Sequence, residues 1–141
     1  MTNVSGVLKQ NKNYTTEMDV GGHHIIADEP IDHGGDDNGP NPYALVASGL
    51  AACTVITLRM YAKRKDWDLG DIYIDVTHNK DYHAECSDCE KSSVKRDIFN
   101  RKIRMSAKLD EAQMKRLTYI ADRCPVHKTL SETAVINTEF V

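Results

Sequence analysis

The stretch GPNPYALVASGLAACTVITLRMYAKRK, from Gly39 to Lys65, limits the folds open to this chain more than any other. A turn rich in Gly, Pro and Asn runs directly into a long apolar segment that contains no further proline. Asn41 is placed as an N-cap and Pro42 as the first helical residue, where its missing N–H costs nothing. The spacing predicts one helix reaching about Lys65. In a chain of 141 residues such a helix must be central, and the rest of the sequence must cover it. Cys53 sits near its middle. Each helical residue advances about 100°, so Val46, Gly49, Thr57 and Met60 share the Cys53 face. Gly49 and Thr57 leave room beside the thiol for another element or for a substrate. Cys53 is either a small apolar filler, as free Cys commonly is, or a reagent.

The flanking sequence reads as strands and two further helices. VSGVLKQ and YTTEMDV are strand-like around the polar turn 11–13, and Gly21-Gly22 turns the chain into a third strand over His24–Ala27. The polar run Asp32–Pro42 is a loop. The acidic stretch Asp28–Asp37 could attract a cation but lacks the ligand and Gly spacing of an EF-hand, and it reads as a solvated loop. DIYIDVTHN alternates Ile72, Ile74 and Val76 with polar residues. IFNRKIRMSAKL is its partner, with Ile98, Ile103 and Met105 toward the core and an irregularity between them. DEAQMKRLTYIADRC is a helix capped by Asp110, with Met114, Leu117, Ile120 and Ala121 on one face. Pro125 opens a short helix, and AVINTEFV is expected to close the fold as a strand. The order β-β-β-α-β-β-α-(α)-β is an α+β pattern, with a long central helix packed on a sheet that is mixed or antiparallel. Residues 1–141 read as a single domain.

Charge and cysteine usage narrow the function. Net charge is −3 with 28% charged residues, and the basic residues form no block, which argues against nucleic acid and anionic membrane as partners. Ser48, Thr54, Thr57 and Arg59 interrupt the most apolar run, so a bilayer span is not expected. The N-terminus lacks the plan of a signal peptide, and a cytoplasmic location is expected. Four Cys in a reducing compartment suggest reactive or metal-binding thiols rather than a disulfide framework.

Cys124 precedes Pro125, where the unpaired N–H groups and positive end of a helix dipole favour thiolate over thiol. Arg123 and Lys128 could add to this. If Cys53 and Cys124 meet, one can attack a peroxide as thiolate and the other can condense with the resulting sulfenic acid. A dithiol would then restore both by exchange. Cys86 and Cys89 form a C-x-x-C with His83 upstream and His78 further back. This loop reads as exposed reducible thiols, or as a zinc site if a fourth ligand exists. His23 and His24 point to opposite faces of a strand and define no site.

The segment around Cys53, CSDCE and ADRCPVHKTL together resemble the OsmC/Ohr superfamily, the osmotically inducible protein C and organic hydroperoxide resistance proteins, over essentially the whole chain. The resemblance implies a thiol-dependent peroxidase for organic hydroperoxides, active in stress defence, with Cys53 as the peroxidatic thiol and Cys124 as the resolving one. It implies an intertwined homodimer with two interface active sites. It implies no bound cofactor, with a dithiol, such as a protein-bound lipoyl group, as reductant. Two positions depart from the pattern. The superfamily's peroxidases place a Glu just after the helix-opening Pro, where this chain has Tyr43 and Ala44. They also place an Arg in the early strands, whereas the first Arg here is Arg59. A buried thiol resists ionisation, so something else must hold the thiolate. Tyr43, Thr57, Met60, Arg59, His33 and His127 are the residues that could shape its surroundings, with Arg59 about 240° round the helix from Cys53. An alternative is a weakly catalytic or non-catalytic protein of the same fold that binds an apolar small molecule at the dimer interface. Another is a redox- or metal-responsive protein using Cys86, Cys89 and His83.

Overall fold

The computed structural model describes residues 1–81, 96–132 and 134–141, so His83, Cys86 and Cys89 lie outside the described residues. The chain divides into two compact units, Met1–Val46 and Ala47–Val141.

In the first unit, β1 (Val4–Leu8), β2 (Thr16–Val20) and β3 (His23–Ala27) form an antiparallel meander. Pairing runs from Val4↔Val20 to Leu8↔Thr16, and from Thr16↔Ala27 to Val20↔His23. Gly21 and Gly22 both have positive φ, 61° and 85°, which is the geometry of a two-residue primed hairpin turn. After β3 the chain enters the acidic loop, makes a short 3-10 turn at Ile31–His33, and doubles back. A Cβ on Gly39 would lie 2.4 Å from the Ile26 carbonyl oxygen, so only glycine permits this return.

The acidic loop is expected to be a solvated connection. Instead it closes around Asp28, which is buried together with Thr15. Asp28 accepts from Thr15 Oγ1 at 2.9 Å, from the Glu29 N–H at 2.8 Å and from the Asn38 N–H at 3.2 Å. Burial opposes ionisation of this carboxyl, but the donors more than offset it and hold its pKa below the ordinary 3.8. The sign follows from the depressed folded value. The stabilisation is present above pH 3.8 and is lost as pH falls through the lower folded pKa. We therefore expect Asp28→Asn to lower the thermal midpoint at pH 7. The gap to wild type should shrink on acidification below pH 3.8, as thermal unfolding followed by circular dichroism across pH would show.

Helix α1 (Pro42–Arg64) opens in the first unit and runs into the second. Asn41 caps it as its sequence suggests, accepting from the Ala44 N–H at 2.8 Å. Lys63 and Arg64 complement its negative end, and Asp66 adopts φ 52°, a left-handed residue that ends the helix. By length and composition α1 could span a bilayer, contrary to the expectation from its polar interruptions. Those residues weaken the apolar run less than their names suggest: Thr54, for one, returns its hydroxyl to the Leu50 carbonyl at 2.7 Å. The core helix of a water-soluble protein meets the same test.

The second unit pairs β4 (Ile72–Asp81) with β5 (Arg96–Met105) and adds α2 (Glu111–Ala121) and α3 (Pro125–Ser131). Asp110 and Gln113 form the capping box at α2. The core joins Leu58, Tyr61, Ala62 and Leu69 to Leu117, Ile120 and Ala121, with Ile72, Ile103 and Met105 of the strands packed against it. The Tyr61 hydroxyl, at the edge of this core, accepts from Arg116 Nε at 2.9 Å. Met114, expected on the buried face of α2, is exposed.

Three expectations need correction. Among the described residues the strands lie in two antiparallel sheets, of three and two strands, rather than one. β4 and β5 pair without a break from Ile72↔Met105 to Asp81↔Arg96, so the expected irregularity is absent. Strict alternation therefore turns Phe99 and Arg101 to the same side as Ile103 and Met105. The third concerns 134–141, which form no strand. Val135, Ile136 and Phe140 are almost wholly exposed, because no strand edge among the described residues pairs with them.

Candidate functional site

Cys53 and Cys124 meet. α1 brings Cys53 to the corner where α2 gives way to α3, and the two sulfurs are hydrogen-bonding partners. Cys124 is the N-cap of α3, wholly buried, and accepts from the His127 N–H at 3.4 Å. Cys53 is only partly buried. The accessible sulfur and the sulfur at the helix N-terminus are thus different atoms.

Their protonation follows from the donors around each. Burial pushes the Cys53 thiol up, and so does donation of its S–H to Cys124; the Val126 N–H and Thr57 hydroxyl oppose this without prevailing. Burial also acts against the Cys124 thiolate. There it is outweighed by the Cys53 S–H, the N–H groups of His127 and Val126 and the Thr54 hydroxyl, which together hold the Cys124 pKa below its usual value. Of the two sulfurs, Cys124 is the one that ionises more readily and Cys53 the one that holds its proton more firmly.

Arg101 of β5 reaches this corner from the strand side. Its side chain is 13% exposed and all four of its terminal N–H bonds have acceptors. Nη1 donates to Thr54 Oγ1 at 3.1 Å and to the Ala121 carbonyl at 3.0 Å. Nη2 donates to Asp122 Oδ1 at 2.8 Å and to His127 Nδ1 at 3.0 Å. Arginine cannot accept a hydrogen bond, so His127 Nδ1 is the acceptor and its ring proton sits on Nε2.

The remaining expected site residues are placed as follows. Thr57 stands beside Cys53 and hydrogen-bonds to it. The His127 ring is held by Arg101, while its backbone N–H donates to the Cys124 sulfur. Arg59 turns away, as its angle requires, and donates to the Gly70 carbonyl. Met60 is exposed. Tyr43 is half-exposed on the first turn of α1 in the other unit, and His33 is exposed on the 3-10 turn. Arg123 lies over the Tyr119 ring. His78 binds Asp97 at 2.9 Å and stacks on Phe99. Among the described residues, no cluster of three or more His, Cys, Asp or Glu could hold a metal.

Sequence reasoning missed Thr54, Arg101 and Asp122. The signal for Arg101 was available, because counting back by twos from Met105 and Ile103 puts it on the inner face. An open pocket of about 240 Å³ lies on one side of Arg101, lined by Leu58, Ile103, Met105, Met114 and Leu117 among others. A second, of about 210 Å³, is lined by Leu50, Phe99, Arg101, His127 and Leu130.

Comparison with known proteins agrees with this architecture. The solved structures it resembles include a putative osmotic stress induced and detoxification response protein from Psychrobacter arcticus, at 23% identity and TM-score 0.73, covering 92% of this chain and 88% of that one. An OsmC like protein from Mycoplasma pneumoniae matches at 22% identity and TM-score 0.67, over 93% and 87% of the two chains. The organic hydroperoxide resistance protein OhrB of Bacillus subtilis matches at 21% identity and TM-score 0.59, over 91% and 88%. At these identities the likeness speaks for the fold. Curated proteins give no match. A profile of the OsmC-like protein family matches residues 34–139, and the chain belongs to that family.

Proposed function

We propose that this protein is a thiol-dependent peroxidase for organic hydroperoxides, with Cys53 as the attacking thiol and Cys124 as its base and resolving partner. The observation that carries this reading is the pair itself: a partly exposed thiol hydrogen-bonded to a buried sulfur at a helix N-terminus, whose donors favour its thiolate form. Cys53 sulfur attacks the outer oxygen of ROOH and breaks the O–O bond. Its proton passes through Cys124 to the leaving alkoxide, giving ROH and Cys53 sulfenic acid. Cys124, again a thiolate, attacks that sulfur and expels hydroxide, forming the disulfide. A dithiol of the lipoyl type returns both thiols by exchange and leaves oxidised. Each turnover consumes one ROOH and one dithiol.

One structural neighbour is called an organic hydroperoxide resistance protein, which favours this substrate class, and another is called an osmotic stress induced and detoxification response protein, which favours a stress role. The reading includes a cytoplasmic homodimer. Ile56 and Met60 leave an apolar stripe of α1 uncovered, which a second copy would bury. A second reading, binding of an apolar small molecule, rests on the pocket lined by Leu58, Met105 and Leu117.

The test is a titration of reduced protein with cumene hydroperoxide. One equivalent is expected to remove two free thiols and to link the peptides carrying Cys53 and Cys124, as seen by mass spectrometry. Added dithiol should then sustain turnover. Retention of both thiols after several equivalents of peroxide would leave only the binding reading.

A further inference from the structure

Arg101 occupies a position where a cation needs a reason. It lies on the inner face of β5, between Phe99 and Ile103, a row that otherwise faces the core. An unpaired charge there would be costly, yet the guanidinium meets four acceptors drawn from three elements. These are Thr54 of α1, Ala121 and Asp122 at the end of α2, and His127 of α3. All three elements converge on one sulfur, Cys124, and the pattern of bonds explains why.

Thr54 has a single hydroxyl hydrogen and two candidate acceptors, the Leu50 carbonyl at 2.7 Å and the Cys124 sulfur. Arg101 Nη1 occupies the hydroxyl oxygen from the other side. That contact polarises the O–H bond and leaves its hydrogen free to turn to whichever acceptor is more negative. Nη1 also satisfies the Ala121 carbonyl at the negative end of α2, while Nη2 ties Asp122 to His127 across the α2–α3 corner. The corner places the N-terminal N–H groups of α3 on Cys124. The charged and titratable groups facing Arg101 are Asp122 and His127, and those facing Cys124 include Cys53.

We propose that Arg101 is the positioning residue of the thiol pair, fixing Thr54 and the α2–α3 corner so that their donors converge on Cys124. It touches no reacting atom and acts through Thr54 and the two helix ends. The proposal rests on the peroxidase reading only for its purpose, since the ionisation of the pair is measurable without peroxide.

The experiment follows the pH dependence of iodoacetamide alkylation in the reduced full chain, with the modified cysteine mapped by mass spectrometry. Arg101→Met is expected to raise the thiolate midpoint by about one unit, a tenfold loss of thiolate below it. Arg101→Lys keeps the charge without the fork and is expected to recover part of that shift. Thr54→Val removes the hydroxyl with little change of shape and is expected to raise the midpoint in the same direction. It decides the matter should Arg101→Met fail to fold. An unchanged midpoint in folded Arg101→Met, or in Thr54→Val if that variant must decide, overturns the proposal. If wild type consumes no peroxide but the midpoints shift, the peroxidase reading falls and the positioning role stands. If peroxide is consumed and the midpoints are unmoved, the reverse holds.

Discussion

Cys53→Ser is expected to lower the turnover of cumene hydroperoxide by roughly a thousandfold or more, the scale of loss when a nucleophile is removed. A serine hydroxyl is a far weaker acid than a thiol and does not yield its proton to Cys124, and it forms no sulfenic acid. Cys124→Ser is expected to fail differently. Cys53 would lose both the acceptor of its proton and the thiolate that resolves its oxidised form. The first oxidation should slow, and the sulfenic acid, once formed, should advance to the sulfinic state under excess peroxide. Intact-mass measurement then shows added oxygen on Cys53 in place of a disulfide. Wild-type rates in Cys53→Ser, read by peroxide consumption, would remove the chemistry from this corner altogether.

Leu58→Ala is expected to destabilise the protein by about 3 kcal/mol, within the span of buried leucine truncations. Leu58 is 1% exposed and is enclosed by the α2 face and the β4–β5 ribbon, so the cavity has little means of collapse. It lies one turn beyond Thr54 on the buried face of α1, at Leu50, Thr54, Leu58 and Tyr61–Ala62. Loosening it should therefore disturb the donor that Thr54 presents as well as the fold. Urea unfolding gives the free energy. Ile56→Ala, on the uncovered stripe, is the contrast, with a loss under about 0.5 kcal/mol expected for a monomeric unfolding. A loss at Ile56 that depends on protein concentration would instead report burial by a second copy.

Much of the fold was legible because local chemistry and periodicity agreed. Asn41-Pro42 and Asp110 announce helix starts, Gly21-Gly22 a hairpin, and Ile72, Ile74 and Val76 a half-buried strand. The meeting of Cys53 and Cys124 was legible only as a condition, since nothing in their spacing measures distance. Arg101 was missed for a different reason. A strand reading that follows apolar residues alone skips a cation on the inner face and invents an irregularity to explain the gap between Ile98 and Ile103. The closing strand was overcalled because AVINTEFV has strand propensity, and propensity is not a partner. The helix angle puts Met60 on the Cys53 face and turns Arg59 away from it, while packing, which the angle does not give, leaves Met60 exposed and joins Arg59 to the Gly70 carbonyl.

The thiol corner also has a history within each molecule's synthesis. Cys53 is made early, with its helix, while Cys124, the α3 N–H groups and Arg101 all arrive later, from elements that must first be paired and docked. Contacts so distant along the chain form late in folding. Until then Cys53 has no acceptor for its proton and no neighbouring thiol with which to close a bond. On the proposed reading, a nascent or partly folded chain carries Cys53 without its resolving partner, and a Cys53–Cys124 disulfide can close only when the native elements have docked. Formation of that disulfide would then report completed folding, readable by peptide mapping.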